Sequence, residues 1–480
     1  MLEIRSGMDT MEIMKTNFEH RIVEYYEFLY LSKRIISVIS MLYLIIVSQL
    51  AFAQTIVTPG IKVGETVVHN KFDSFSETGF VTSIQPGVII NSNSAKSDFS
   101  MVYGLEFLRS HDLDTNDDRE VHNLDLSGEF RHKPNQWTSY VRANSRLNNS
   151  NVDGVQSANP EYLDVNSEQL FTLGLGSTYS DRLSRNVQYS AGVNLNYADE
   201  EGSDSSTGQG VSLSIDNFIS ENRLTWRGEI QRNEYQGDGD NDNDNDRIDE
   251  LRAIFNYRLD EKLSYFLELS RTETDDSELD EDSAIVGFRW SPNRQSFVSV
   301  GIGKLGDDTT YDFEGRFTRK HSLFSARYSE SITTQRDQLF ELRDDEFGES
   351  TNQSTSTIAV LRKRGDFGWT LTGVRSTLGV SVFHEEESNP NIADDQIITG
   401  GNINYNRQLS PQSSLSLSAL YQETEFEEDS TLDEYRASYE KSTSKTTDLE
   451  LFISYASFDS SNDAIDYDQT LAGATYRVTF

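Results

Sequence analysis

Apolar and polar residues alternate along most of the chain from Gln54 onward. Between residues 187 and 198, for example, Val193 and Leu195 alternate with Asn194 and Asn196. The same pattern recurs in residues 124–130, 251–258, 263–270, 284–290, 415–421 and 449–456. A period of two places one set of side chains on each face of a strand. The pattern therefore predicts β-strands with one apolar and one polar face, and no helical period competes with it.

The predicted strands are longer and more widely spaced than those of a soluble sandwich. They span about 10–14 residues and recur about every 19 residues, whereas sandwich strands are typically about five or six residues long. About ten residues suffice for a tilted strand to cross a bilayer. Counting the segments gives about 22 strands, within a range of about 18–24. The sequence thus predicts an all-β, up-and-down transmembrane barrel that forms a single domain over residues 54–480.

The connections between the predicted strands alternate between two kinds. Short connections with turn-forming residues fall at Lys133–Asn135, Asp181–Asn186, Ser220–Asn222, Asp260–Lys262, Ser291–Arg294, Arg319–His321, Arg364–Asp366 and Ser410–Gln412. The intervening connections are mostly longer and very acidic, at His111–Asp118, Asn149–Asn166, Asp199–Gly208, Gly237–Glu250, Glu273–Asp282, Asp337–Thr355, Glu385–Asp395 and Asp459–Asp466. Short periplasmic turns and long outer loops are typical of bacterial outer-membrane barrels. We therefore expect an acidic outer mouth.

Charged residues within the predicted strands lie opposite the apolar face. The set comprises Asp125, Glu129, Arg252, Arg258, Glu268 and Arg289, and a barrel would direct these side chains into its lumen. Two interpretations stay open at this point. The charges either line a water-filled path, as charge rings do in pores, or pair across the lumen and obstruct it, as Glu129 or Glu268 would with Arg252 or Arg289.

Aromatic residues support the membrane interpretation. Trp137, Trp290 and Trp369 lie beside predicted short turns, where an interfacial aromatic girdle belongs. The last predicted strand places Tyr476, Val478 and Phe480 on one face. A terminal aromatic residue on an amphipathic strand resembles the insertion signal that the outer-membrane barrel assembly machinery reads.

A secretory signal is predicted near the N-terminus. A basic pair, Lys33-Arg34, precedes an apolar run of about 16 residues, Ile35–Leu50, and the small-x-small site Ala51–Ala53. This arrangement is typical of a Sec-type signal peptide, so we expect residues 1–53 to form a leader and signal that is cleaved after Ala53. The polar stretch of residues 1–30 is longer than signal peptides usually carry, and we expect it to reflect a start codon assigned too far upstream. No globular plug segment is expected before the first strand.

Composition narrows the classes of function. The 480 residues include no cysteine and carry a formal charge of −37, which excludes disulfides and thiolate metal sites and disfavours nucleic-acid binding. The mean hydropathy of −0.57 excludes a polytopic helical membrane protein. It does not bear on a barrel, whose alternating residues cancel in an average.

Two groups of residues are candidates for ion binding or chemistry. Asp238, Asp240, Asp242, Asp244 and Asp246 are spaced by two, and alternating carboxylates can wrap Ca²⁺. The glycine and the terminal glutamate of an EF-type loop are missing. We therefore expect a solvated acidic loop that holds Ca²⁺ loosely, and no cofactor. His122 near Asp125 is a weak candidate for a barrel-wall hydrolase, and the sequence favours a protein that is not an enzyme.

The start of the predicted barrel resembles a known family. Residues 58–66 and 80–88 follow the pattern P-x-I-x-V-x-E-T … F-V-T-x-I-x-P-G-V, which is similar to that of the PEP-CTERM-system-associated outer-membrane barrels that accompany exopolysaccharide and exosortase loci. The resemblance implies an outer-membrane location, and partners among polysaccharide export components.

Three hypotheses of function follow. The first is a porin-like channel or accessory barrel for the export of polysaccharide or PEP-CTERM surface proteins. The second is a non-conducting structural or adhesive barrel, whose acidic loops bind divalent cations and lipopolysaccharide. The third is the barrel-wall hydrolase.

Overall fold

Each strand of the described chain pairs with its neighbours in sequence. The computed structural model describes residues 54–72, 75–113, 118–149, 162, 167–201, 205–217, 223–237, 245–275, 279–334, 359–388, 395–426, 429–461 and 466–480. The predicted leader and signal, residues 1–53, lie outside this part of the chain. The alternating pattern predicted strands throughout, and within the described residues every long regular element is a strand.

Twenty-two strands make up the fold. In chain order they are β1 Gln54–Phe72, β2 Ser76–Asn93, β3 Ser97–His111, β4 Arg119–Lys133, β5 Trp137–Asn149, β6 Ser167–Arg182, β7 Val187–Glu200, β8 Ser206–Asn217, β9 Leu224–Gly237, β10 Asn245–Arg258, β11 Leu263–Thr274, β12 Glu281–Asn293, β13 Ser296–Leu305, β14 Asp308–Arg319, β15 Ser322–Thr334, β16 Ala359–Thr372, β17 Ser376–Ser388, β18 Gln396–Ser410, β19 Ser413–Glu425, β20 Ser430–Ser444, β21 Thr447–Ser460 and β22 Tyr467–Thr479.

The sheet closes on itself through its first and last strands. Every consecutive pair of strands is antiparallel, and β1 pairs with β22 from Gly60 opposite Thr479 to Phe72 opposite Tyr467. Closure leaves no edge strand, so backbone donors and acceptors are satisfied within the wall. The predicted fold, an up-and-down antiparallel barrel of about 22 strands, is confirmed.

The two ends of the barrel differ. Connections that follow even-numbered strands gather at one end, here called the turn end, and those that follow odd-numbered strands gather at the loop end. At the turn end, Asn135 adopts a left-handed φ of 59°, which asparagine tolerates better than most residues. The Asp260 carboxylate there accepts hydrogen bonds from the backbone N–H groups of Lys262 and Leu263, at 2.7 and 2.9 Å. These bonds favour the ionised form and lower the pKa of Asp260.

One predicted turn is wrong. Arg364–Asp366 lies in the middle of β16, where Gly365 pairs with Tyr328 and His384. The turn instead follows Thr372, and the N–H of Gly373 donates to the carbonyl oxygen of Ser376 at 2.7 Å. Charged residues around a glycine favour a turn in a soluble protein. In a barrel the interior face accepts charge, so the same residues continue a strand.

Several predicted acidic loops are shorter than expected, among them 237–250 and 385–395. Residues 385–388 continue β17, and residues 245–250 begin β10. The strands extend further because pairing satisfies the backbone there, for example between Asn245 and Gln236. Acidic residues at the loop end therefore belong partly to strands, and the prediction of loops over all of 237–250 and 385–395 is wrong at these positions.

Candidate functional site

One face of the wall is apolar and exposed. Large apolar side chains on alternate positions are 44–59% exposed, and no other described element covers them; they include Val193, Leu195, Val211, Leu213, Ile230, Leu251, Val286 and Ile302. This outer face has the surface that a lipid environment requires. The opposite side chains form the interior face, which includes side chains such as Glu106 that are almost fully buried.

Aromatic residues border the outer face at the turn end. Trp137 and Trp290 are each 46% exposed, and the ring of Trp369 stacks on Phe324 with centroids 6.0 Å apart. Tryptophans favour the boundary between headgroups and acyl chains. All three lie within a few residues of the turn end of their strands, which indicates that a membrane boundary would lie near this end.

The predicted insertion signal occupies the seam between β1 and β22. Tyr476 lies opposite Val63 and Val478 opposite Ile61. Phe480 follows the strand, is 76% exposed, and its N–H donates to the carbonyl oxygen of Pro59 at 2.9 Å. The structure thus places the three residues towards the turn end of the seam.

Two of the predicted lumen charges form an ion pair. An Arg252 guanidinium nitrogen lies 2.6 Å from a Glu268 carboxylate oxygen, on adjacent strands β10 and β11. Glu268 lies opposite Ile254, so Arg252 is its diagonal neighbour on the interior face. The pair runs along the wall, and it neutralises two charges without crossing the lumen.

The remaining predicted charges do not meet one another. Glu129 pairs with Arg131 on its own strand at 2.8 Å, and Arg289 lies over the ring of Phe297, 3.9 Å from its centroid. Asp125 lies opposite Val102 on β3, and Arg258 lies opposite Ser264 near the turn end. Local neighbours, rather than partners on the far wall, therefore hold Glu129 and Arg289.

A buried ion cluster on β16 and β17 was missed in the sequence. Glu385 accepts a hydrogen bond from Arg362 at 2.8 Å and another from Arg364. Arg364 also bonds to Asp366 at 2.8 Å and lies over the ring of Phe383. Arg362, Arg364 and Glu385 are at most 8% exposed. Residues 360–366, Val-Leu-Arg-Lys-Arg-Gly-Asp, do not alternate between apolar and polar residues, so the sequence does not indicate that Arg362 and Arg364 share the interior face of a strand.

Part of the interior face near the loop end is apolar. Its buried residues are Val68, Val81, Leu108, Val121, Phe452 and Leu471, and Tyr162 packs against them. The Tyr162 hydroxyl accepts a hydrogen bond from Thr66, and its carbonyl oxygen accepts one from Gln469, both at 3.4 Å. Thr66 is on β1 and Gln469 on β22, whereas Tyr162 lies between β5 and β6. This residue therefore covers interior wall several strands away from its own.

The candidate catalytic pair of His122 and Asp125 is not assembled in the structure. His122 and Asp125 are three residues apart in β4, so their side chains project from opposite faces of the strand. His122 Nδ1 lies 3.1 Å from the Tyr103 hydroxyl, on the face that carries Leu124 and Leu126. The prediction that His122 faces the lumen beside Asp125 is wrong, because strand parity separates them.

The acidic repeat lies mostly outside the described residues, which exclude Asp238, Asp240, Asp242 and Asp244. Asp246 is in β10, where its backbone pairs with Tyr235. Among the residues that the structure describes, no group of three or more histidines and acids is arranged to hold a metal ion. In the same part of the chain, no helix is long and apolar enough to cross a membrane.

Comparison with solved structures finds bacterial outer-membrane proteins. A mutant ferric enterobactin receptor of Pseudomonas aeruginosa, in complex with enterobactin, is 10% identical, with 88% of this chain and 81% of that chain covered and a TM-score of 0.50. The siderophore receptor PirA of Acinetobacter baumannii is 9% identical, with 88% of this chain and 80% of that chain covered and a TM-score of 0.49. A BenF-like porin of Pseudomonas fluorescens Pf-5 is 7% identical, with 88% of this chain and 99% of that chain covered and a TM-score of 0.37.

No family model and no curated protein matches the sequence. At these low identities the structural likeness describes the fold alone. The closed 22-stranded antiparallel sheet with an apolar outer face defines the class of protein: the chain is a β-barrel of the outer-membrane type.

Proposed function

We propose that this barrel resides in the outer membrane of a Gram-negative cell and acts as a porin-like channel. The observation that carries this proposal is the charged interior face, where ion pairs such as Arg252–Glu268 lie along the wall. Charges paired in this way do not themselves cross the axis of the barrel, whereas pairs between opposite walls would block it. A hydrated solute can exchange its water for such polar groups at little cost.

The mechanism we propose is passive. Because the wall charges are paired, solutes of neither sign are strongly held or excluded. Hydroxyl and amide groups on the interior face replace the hydrogen bonds that a solute makes with water. No cofactor and no catalytic step are required. Barrel assembly machinery would insert the chain, and outer-membrane lipid with lipopolysaccharide would surround it.

The proposed link to polysaccharide or PEP-CTERM surface-protein export rests on the N-terminal motif. Both halves of that motif lie in one hairpin: Glu65 pairs with Thr82, and Pro59 pairs with Val88. The Thr82 hydroxyl donates a hydrogen bond to the Glu65 carboxylate at 2.8 Å. The motif thus supports the wall at the β1–β2 hairpin, next to the closing seam, and export partners would recognise this region.

Purified protein in planar bilayers tests the channel. We expect unitary conductance steps, since a polar interior admits water and ions. Ca²⁺ should change the conductance through the acidic loop end without abolishing it. Absence of any unitary step, with and without Ca²⁺, would overturn the channel.

A second function is favoured by burial near the loop end. Glu106, Gln422 and Gln469 are at most 2% exposed. Other parts of the chain therefore exclude water from the interior face at these positions. A barrel filled in this way would act as a structural or adhesive protein whose acidic loops hold divalent cations and lipopolysaccharide. It would give no conductance, but would bind lipopolysaccharide micelles in a manner that EDTA reverses.

A further inference from the structure

The interior face has a cavity at the turn end of strands β2 to β5. Its volume is about 790 Å³, and its wall includes Asn91, Asp98, Ser100, Glu129, Tyr140 and Arg142. This volume lies within the range of about 300–1,000 Å³ that small-molecule sites occupy. The cavity is distinct from the ion cluster on β16 and β17.

Strand register places the polar groups of the cavity in two adjacent rows. In the first row Asn91 lies opposite Ser100, and the row continues through Ser127 to Arg142. In the second row Asp98 lies opposite Glu129, which lies opposite Tyr140. Four neighbouring strands therefore present amide, hydroxyl, carboxylate and guanidinium groups to the same space.

The charges at this cavity cancel. Asp98 and Glu129 are directly opposite, an arrangement that would be repulsive alone, and Arg131 bonds to both at 2.5 and 2.8 Å. The Arg142 guanidinium lies over the Tyr140 ring, 4.9 Å from its centroid. Two acidic and two basic groups leave no net charge, so neither an anionic nor a cationic ligand is favoured.

The remaining chemistry suits a polyhydroxylated ligand. Asn91 accepts a hydrogen bond from the Ser100 hydroxyl at 3.0 Å, so these polar side chains are held in place along the wall. Amides and hydroxyls act as donors and acceptors at once, as sugar hydroxyls do. The Arg142–Tyr140 stack adds a flat surface with several N–H donors.

We propose that this cavity is a binding subsite for an uncharged saccharide segment, located where solute would enter from the turn end. The inference rests on the proposed function, because it supplies the substrate class for that channel. Uronate or phosphate groups would lose hydration in the cavity without a net positive charge to compensate for it. Arg142 would donate hydrogen bonds to neighbouring hydroxyls of a neutral sugar.

The test uses the full barrel in detergent micelles, with maltohexaose and xylohexaose as uncharged probes and hexagalacturonate as the acidic probe. Calorimetry should show binding of at least one uncharged probe and weaker binding of the acidic one. Arg142→Ala should raise the Kd about tenfold, because it removes charged donors. The matched control is Arg289→Ala, which also removes an interior arginine from an aromatic ring, and its Kd should equal that of the parent.

Outcomes for the channel and for the subsite are separable. In planar bilayers, the uncharged saccharide that binds is added from the turn side. It should interrupt the current through the parent channel, and it should do so less often with Arg142→Ala. Saccharide binding without any conductance would support the subsite and overturn the channel. Conductance with no binding of either uncharged probe would overturn the subsite, as would equal losses in the two variants or tighter binding of hexagalacturonate. Heat-modifiable gel migration confirms that each variant is folded.

Discussion

At the scale of single residues, position on a face decides how much a charge matters. Glu385 and Glu386 are neighbours in β17 and both pair with bases on β16. The side chain of Glu385 is 2% exposed and bonds to two arginines, whereas that of Glu386 is 33% exposed and bonds to Lys363 alone. Removing one partner from a buried pair leaves the other charge without compensation, while an exposed pair contributes little.

We expect Glu385→Gln to lower the free energy of unfolding by about 3 kcal/mol, because Arg362 and Arg364 lose a shared carboxylate in a buried site. Glu386→Gln is the matched control and should cost less than about 1 kcal/mol. Denaturant unfolding in detergent micelles, followed by tryptophan fluorescence, measures both. Similar losses in the two variants would contradict the distinction between the faces.

At the scale of strands, alternation was enough to predict the elements and their number. The outer face of a strand follows from its own alternation, without knowledge of the neighbouring strand. Val193 and Leu195 could therefore be assigned to the outer face from the sequence. The partners of side chains on neighbouring strands could not be predicted, because they depend on the register between strands. That register is set by the exact position of each turn, which alternation does not specify. Arg252, for example, meets Glu268 through a diagonal contact between strands. For Glu385 the local sequence is misleading, because a run of acidic residues predicts a loop there.

The two faces of a single strand predict opposite responses to the same substitution. Val193, in the middle of β7, is 56% exposed on the outer face, and Asn194 follows on the interior face. Arginine at Val193 should cost about 2–4 kcal/mol, since it places a charge near the bilayer midplane. Asn194→Arg should be nearly neutral. Unfolding free energies measured in lipid vesicles test this, and a cost at Asn194 equal to that at Val193 would contradict the assignment of faces.

At the scale of the whole molecule, closure depends on two strands from opposite ends of the described chain. Lys71 and Asp468, separated by 397 positions, form an ion pair at 3.1 Å. The length, spacing and amphipathic faces of the predicted strands indicated a barrel, and a barrel requires closure. It could not locate the apolar interior patch or the contact that Tyr162 makes with it, because these residues belong to different hairpins and share no local pattern.

The cysteine-free chain allows closure to be tested directly. Val67 lies opposite Ala472 across the seam, and opposite residues of antiparallel strands have Cα atoms about 4.5–5.5 Å apart, which suits a disulfide. We expect Val67→Cys with Ala472→Cys to cross-link under mild oxidation and to abolish the heat-dependent gel shift. Val67→Cys with Tyr476→Cys is the control, four residues out of register, and should not cross-link. Failure of the first pair would contradict the closed barrel.

The seam between β1 and β22 also sets an order of events during biogenesis. Its thirteen paired positions join parts of the chain with the largest sequence separation in the sheet, and loop-closure entropy makes such contacts slow to form. Until β22 arrives, β1 has an unpaired edge that can template aggregation. Pairing of β22 with β1 therefore removes the exposed edge and completes the closed sheet.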